Sequence, residues 1–134
     1  MGGEAGFDLS VLETLRRHKI SYMVKATNAN SIAHLMWDKC VTPELIEELQ
    51  GRFQVVTVKP SAIACVIGSN IAIPGVLARA AQALADANVN VNAISQTLRQ
   101  VNMQFIVDRD DYKPAIKALN QALCVQPRIP VPVA

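Results

Sequence analysis

The chain has 134 residues, of which 51% are apolar and 18% are charged, and its formal net charge is +2. This length can supply one ordinary hydrophobic core or two small ones, and two small units would each be marginally stable alone. The low net charge argues against nucleic acid or an anionic membrane surface as the partner. No apolar run reaches the roughly 20 residues of a membrane-spanning helix. We therefore expect a cytoplasmic protein.

The chain opens with a predicted helix whose apolar face runs through Leu15. Asp8 or Ser10 could cap its start. The basic run from Arg16 to Lys19 crowds its last turn, where the peptide dipoles favour cations. The same run could instead bind a phosphate group.

A hairpin and a second helix follow. Alternation predicts a strand from Ile20 to Thr27, a turn, and a second strand from Ser31 to Trp37. Thr42 and Pro43 mark the start of the next helix, and the run from Val55 to Val58 predicts a further strand. The apolar side of the first strand consists of Ile20, Tyr22, Val24 and Ala26.

The second half of the chain begins with the unbroken apolar run from Ala62 to Ile67, which is typical of a central strand. An alanine-rich helix then follows Gly75 and ends near Asn88. Two strands, Val89 to Ala93 and Val101 to Val107, and a final helix complete the half. The last ten residues contain three prolines, which exclude a helix or a central strand.

The two halves resemble each other. Gly6 and the helix after it recur as Gly75 and its helix about 70 residues later, which indicates duplicated units. Each unit reads helix, strand, strand, helix, but a strand precedes only the second. We predict an α+β, ferredoxin-like βαββαβ fold in two tandem modules, with antiparallel sheets and helices on one face. The first module, 1–59, lacks its opening strand, so we expect a fragment of a longer chain; the second spans 60–124 and a Pro-rich tail 125–134.

The three cysteines lie far apart and show no metal-ligand spacing. We expect them to be reduced and buried, with Cys65 acting as a small apolar residue in its strand. Neither His18 nor His34 has an evident catalytic or metal-binding partner, so the sequence predicts no catalytic residue and no metal site.

Small polar groups instead suggest a binding site. A glycine opens the first helix of each unit, and the next strand carries Ser21 in one copy and Asn90 and Asn92 in the other. Helix-start amides facing such side chains could hold a small carboxylate ligand. The alternative is purely structural, because the glycines could serve turn geometry and the asparagines a solvent-facing strand.

These residues resemble a known family. The segments Gly75–Ala78 with Asn88–Val91, and Gly6–Phe7 with His18–Ser21, look like the helix start and strand entry of ACT domains. The pairing of Ile20–Ile32 with the second copy, Ile94–Thr97 and Val101–Val107, resembles the C-terminal tandem of aspartokinases. The resemblance extends from about Gly3 to about Cys124.

The resemblance implies a regulatory rather than a catalytic role. Such tandems bind lysine, threonine or a related end product and adjust an N-terminal kinase domain that phosphorylates the aspartate β-carboxylate. ATP and Mg would belong to that kinase domain, because this chain shows no phosphate-binding loop. In the family the modules form dimers, and a strand from ahead of the first module completes the second.

Carrying the family's effector site onto matching positions gives two sets of residues. In the first, backbone amides near Gly6 would bind the ligand carboxylate, and Glu4 or Asp8 with the Ser21–Met23 segment its ammonium groups. Lysine-binding members carry an acid where Met23 stands, which argues against lysine. The first set is Met1, Glu4, Gly6, Phe7, Asp8, Ser21, Tyr22, Met23 and Asn28. The second set is Asn70, Ile73, Gly75, Asn90 and Asn92.

Other functions are open at this stage. The same topology serves RNA recognition through aromatic side chains on the sheet, but aromatic residues make up only 4% of this chain. A module used only for oligomerisation through sheet edges is the other alternative.

Overall fold

The structure is a computed structural model that describes residues 5–69, 71, 73–97 and 102–124. The chain divides after Pro60 into two compact units, Met1–Pro60 and Ser61–Ala134. We call them the first and the second unit.

The first unit consists of two helices and a hairpin. Its elements are α1 (Phe7–Arg17), β1 (Val24–Thr27), β2 (Ile32–Leu35), a 3₁₀ turn (Asp38–Cys40) and α2 (Pro43–Arg52). The two strands are antiparallel. The order helix, strand, strand, helix is the one that the sequence predicted.

The two helix starts of this unit use different means. Thr42 caps α2 as predicted, because its hydroxyl accepts a hydrogen bond from the Leu45 N–H at 3.3 Å and Pro43 occupies the first turn. The predicted cap of α1 was wrong. Neither Asp8 nor Ser10 is the cap; the helix starts after Gly6, which has φ +87° and no side-chain cap.

The core of the first unit is small. Val11 and Leu15 of α1 and Leu45 of α2 are buried together. Further apolar side chains pack around these three: Ile20, Ile32, Met36, Leu49 and Phe53.

The second unit contains a three-stranded antiparallel sheet in the order β3-β5-β4. The last strand of the unit therefore lies between the first two, as in a split β-α-β arrangement. The run from Ala62 to Ile67 belongs to β3. Because β3 is an edge strand of the described sheet, the prediction of a central strand was wrong there. The elements are β3 (Ser61–Ile67), α3 (Val76–Asp86), β4 (Val91–Ser95), β5 (Asn102–Asp108), a 3₁₀ turn (Arg109–Asp111) and α4 (Tyr112–Leu123).

One face of this sheet carries the larger core. Ala64 of β3 pairs with Phe105 of β5, and both are fully buried. Leu84 of α3 and Leu119 of α4 are buried in the same cluster, so both helices contribute to the core on this face. The whole cluster is Ala64, Val76, Ala80, Leu84, Val89, Met103, Phe105, Val107, Ala115 and Leu119.

The opposite face corrects the prediction of buried cysteines. Cys65 pairs with Gln104, so it lies on the other side of the sheet from Ala64 and is exposed. Cys124 is also exposed and Cys40 is half-buried, and all three thiols are free. An unbroken apolar run does not show which of its side chains face the helices. Only the pairing register shows this.

The predicted strand from Val55 to Val58 is absent from the described structure. Val55 is 76% exposed and Val58 is 53% exposed. A strand requires a neighbouring backbone for its hydrogen bonds, and no described segment pairs with these residues.

Candidate functional site

The first helix of each unit starts and ends in the same way. Gly6 and Gly75 precede α1 and α3 with φ +87° and +93°, in the left-handed region that favours glycine. Their carbonyls accept the first helical hydrogen bonds, from the N–H of Ser10 at 3.0 Å and of Arg79 at 2.9 Å. Lys19 and Asn88 directly follow the C-caps of the two helices, each with φ +57°. The duplication that the sequence indicated therefore extends to backbone geometry.

A polar cluster lies where α1 begins, against the hairpin of the first unit. The Lys25 Nζ on β1 donates to Oδ2 of Asp8 in the first turn of α1, at 2.5 Å. Lys25 pairs directly with His34 of β2, so the two side chains share one face of the hairpin. Ile32, two residues before His34, packs against the α1 and α2 core. The polar cluster therefore lies on the helix-facing side of the hairpin.

The electrostatics of the cluster disfavour protonation of His34. Burial lowers the pKa of His34 below its ordinary value of 6.5, the nearby Lys25 cation lowers it further, and only Asp8 opposes them. Asp8 Oδ1 and His34 Nε2 are buried and have no hydrogen-bond partner within the described part of the chain. Buried polar atoms are normally paired, so these two atoms are candidates for contact with a ligand.

Tyr22 links this cluster to a second feature. Its ring makes an edge-on contact with the His34 ring, with centroids 4.9 Å apart. Tyr22 and Ser21 also border an open depression of about 390 Å³ beside the C-terminal half of α1. The depression is lined by Leu12, Leu15, Arg16, Lys19, Ile20, Ser21 and Tyr22.

The other predicted residues of the first set have structural contacts. The Phe7 ring meets Phe53 edge-on at 5.0 Å. The Met23 N–H donates to the Leu35 carbonyl at 2.7 Å, and its side chain is partly exposed. Asn28 closes the hairpin, because its side-chain oxygen accepts from the N–H groups of Asn30 and Ser31. Met1 and Glu4 lie outside the described residues.

The basic run at the end of α1 is partly engaged within the unit. Arg17 forms an ion pair with Glu48 of α2, and His18 Nε2 lies 2.5 Å from the other carboxylate oxygen of Glu48. The hydrogen bond from His18, followed by that from Arg17, lowers the pKa of Glu48. These two side chains therefore connect α1 to α2.

The described residues of the second predicted set lie on different parts of the second unit. Gly75 and Ile73 lie at the start of α3, whereas Asn90 follows the end of this 11-residue helix, which is about 16 Å long. Asn90 and Asn92 are bonded to each other at 3.1 Å, and Asn92 donates to Asp108 at 2.7 Å. Asn70 lies outside the described residues.

Sequence reasoning missed Lys25 and His34. It assigned Lys25 to the polar side of β1, opposite Val24. The clue was His34, which stands two residues after Ile32 and so interrupts an apolar row on the same face. A histidine on an otherwise apolar face favours a polar neighbour on the paired strand. Lys25 is that neighbour.

The described residues contain neither a metal-binding cluster nor a membrane-spanning helix. No three or more His, Cys, Asp or Glu side chains there are grouped closely enough to bind a metal ion. None of the helices described combines the length and the apolar character needed to cross a membrane.

Comparison with known proteins identifies the fold family. A family model described as the ACT domain matches residues 64–123. An aspartate kinase (Ask_Ect) of Stutzerimonas stutzeri strain A1501 is 39% identical over 127 residues, which make up 92% of this chain and 26% of that protein. The chain thus spans about a quarter of the relative it matches.

Solved structures of aspartate kinases and their regulatory subunits have a similar fold. The ligand-free regulatory subunit of aspartate kinase from Thermus thermophilus has a TM-score of 0.76 at 20% identity, over 90% of this chain and 84% of that one. E. coli aspartokinase III in complex with lysine and aspartate has a TM-score of 0.66 at 22% identity, over 92% of this chain and 29% of that one. At these identities the structures establish the fold alone. Together with the family model, they show that residues 64–123 have the fold of an ACT domain, and the sequence relative shows that the chain is similar to part of an aspartate kinase.

Proposed function

We propose that this chain is the amino-acid-binding and dimerising region of an aspartate kinase. It would control phosphorylation of aspartate by a kinase domain carried elsewhere in the full-length cytoplasmic protein, and ATP and Mg would bind to that domain. The chain covers 26% of the related Stutzerimonas kinase, so a separate catalytic region is the natural partner. A free amino acid is the proposed effector, since aspartokinase III has been crystallised with lysine and aspartate.

The main support for this proposal is the polar cluster of the first unit. Asp8 and Lys25 place opposite charges beside the start of α1, and His34 adds an imidazole whose pKa is lowered. The buried Asp8 Oδ1 can accept from a ligand ammonium, and the helix-start amides after Gly6 can bind its carboxylate. A free amino acid presents both groups at the spacing of one carbon atom.

Calorimetric titration of the whole chain with lysine, threonine and methionine tests the proposal. We expect at least one of them to bind, and we expect Asp8→Ala to weaken that binding about tenfold or more, because the ammonium loses a charged acceptor. Asp110→Ala is the matched control, since Asp110 is exposed in the second unit. If none of a full panel of amino acids binds, the effector proposal fails.

A role in oligomerisation alone is the second candidate. The open face of the β3-β5-β4 sheet carries the exposed Cys65, and Ile67 on it is 79% exposed. Among the described strands, β3 and β4 each pair on one side only. Such edges favour pairing with a second copy of the chain. A dimer in light scattering without calorimetric binding of any amino acid would favour this candidate.

A further inference from the structure

The ammonium of Lys25 lies against the Asp8 carboxylate in the first turn of α1. Its Nζ lies 2.5 Å from Asp8 Oδ2, and 79% of the Lys25 side chain is covered, because its relative exposure is 21%. A largely covered lysine that reaches the first turn of a helix is held in place rather than free in solvent. The chain thus supplies its own cation to this carboxylate.

This contact leaves a defined set of hydrogen-bonding groups for a ligand. Lys25 has three N–H donors, and the hydrogen bonds found among the described residues use one of them, on Asp8. Asp8 Oδ1 is a buried acceptor without a partner in that part of the chain. The cluster can therefore offer one acceptor to an α-ammonium group and further donors to a carboxylate.

The charges of Lys25 and Asp8 determine which ligand side chains the site can accept. Lys25 already neutralises Asp8, so a second ammonium on the ligand side chain gains little from Asp8 and is repelled by Lys25. His34 carries no negative charge in either protonation state, so it does not offset the repulsion. A carboxylate or an uncharged side chain meets no such penalty.

We propose that Lys25 is a built-in ammonium group that makes the first-unit site select amino acids with neutral or acidic side chains over diamino acids. The inference rests on the proposed function, because it specifies the ligand of the same site.

Calorimetry on the whole chain with L-lysine and L-norleucine tests the proposal, because the two ligands share a four-carbon side chain and differ in its ammonium. We expect norleucine to bind at least tenfold more tightly than lysine. Lys25→Met removes the charge while keeping the length, and it should shift the lysine-to-norleucine affinity ratio at least tenfold toward lysine. Lys113→Met removes an exposed charge from α4 and should leave the ratio unchanged.

Asp8→Asn provides a second variant in case Lys25→Met does not fold. Without the carboxylate, Lys25 stands unopposed, so the ratio should move at least threefold further against lysine. Tighter binding of lysine than of norleucine to the unaltered chain, or a ratio that neither variant changes, overturns the proposal while amino-acid binding itself stands. Absence of binding by every amino acid refutes both this proposal and the proposed function.

Discussion

The starts of α1 and α3 have the same backbone geometry but different chemistry. Gly6 and Gly75 share their left-handed conformation, and Lys19 and Asn88 share theirs. Two residues beyond each glycine stand Asp8 and Leu77, and six residues beyond Lys19 and Asn88 stand Lys25 and Ile94. The charged pair of the first unit thus corresponds to two apolar residues in the second, which are 41% and 46% exposed. The two units therefore share these backbone turns. The positions of Asp8 and Lys25 are polar in the first unit, and the corresponding positions in the second unit are apolar.

The largest expected difference between the units lies in their cores. Leu15 and Leu84 hold equivalent places in α1 and α3 and are 2% and 0% exposed. We expect Leu84→Ala to cost about 4 kcal/mol of unfolding free energy and Leu15→Ala about 2 kcal/mol, because the smaller cluster around Leu15 can relax into the space left.

Urea unfolding followed by circular dichroism measures both changes. Leu9→Ala, at a position of α1 that is 59% exposed, is the control and should change stability by less than about 0.5 kcal/mol. Equal losses at Leu15 and Leu84 would show that the two cores are equally well packed.

The helix-start glycines should, in contrast, behave alike. A Cβ at Gly6 or Gly75 would meet no heavy atom within 4 Å, so the cost of Gly→Ala there comes from the positive φ alone. We expect about 1–2 kcal/mol of destabilisation in each case. Gly51→Ala in α2 also has open space but no positive φ, so it should stabilise by about 0.5–1 kcal/mol.

Thermal unfolding of the three single variants checks the signs. A clearly larger loss at one of the two helix starts would break the equivalence of the two backbones. A loss at Gly51 would point to a contact that the described structure does not contain.

The smallest expected effect is a pH dependence that belongs to the first unit. Because burial and Lys25 lower the pKa of His34 below 6.5, the unfolded chain binds more protons than the folded one just below that pH. This contribution to stability is therefore complete above pH 6.5 and is lost as the pH falls through the folded pKa.

Urea midpoints at pH 7.5 and pH 5.5 measure this loss, and His34→Gln should reduce the difference between them. Glu48, whose pKa is also lowered, acts in a separate and more acidic range below its ordinary value of 4.5. An unchanged difference in the His34→Gln variant would exclude His34 as its source.

Local signals in the sequence predicted most of the elements correctly. The Thr42 cap with Pro43 and the turn at Asn28 depend on neighbouring residues and were found without tertiary information. The strand from Val55 to Val58 and the burial of Cys65 were predicted wrongly, because both depend on which strands pair and which face meets the helices. Of the first set of site residues, which stays a prediction, Asp8 and Tyr22 lie at the polar cluster, and the sequence did not indicate that Lys25 and His34 lie beside them.

The sequence by itself determined the duplicated helix starts, the order of elements and the likeness to ACT domains, because glycine turns, caps and apolar periods act over a few residues. Only the tertiary structure decided that Lys25 and His34 face α1 and that Lys25 reaches Asp8. Alternating apolar and polar residues predict a strand with two different faces. They do not show which face other elements will cover. Pairing with β2 and packing against α1 decided this, and they placed the Lys25 ammonium against the carboxylate of Asp8.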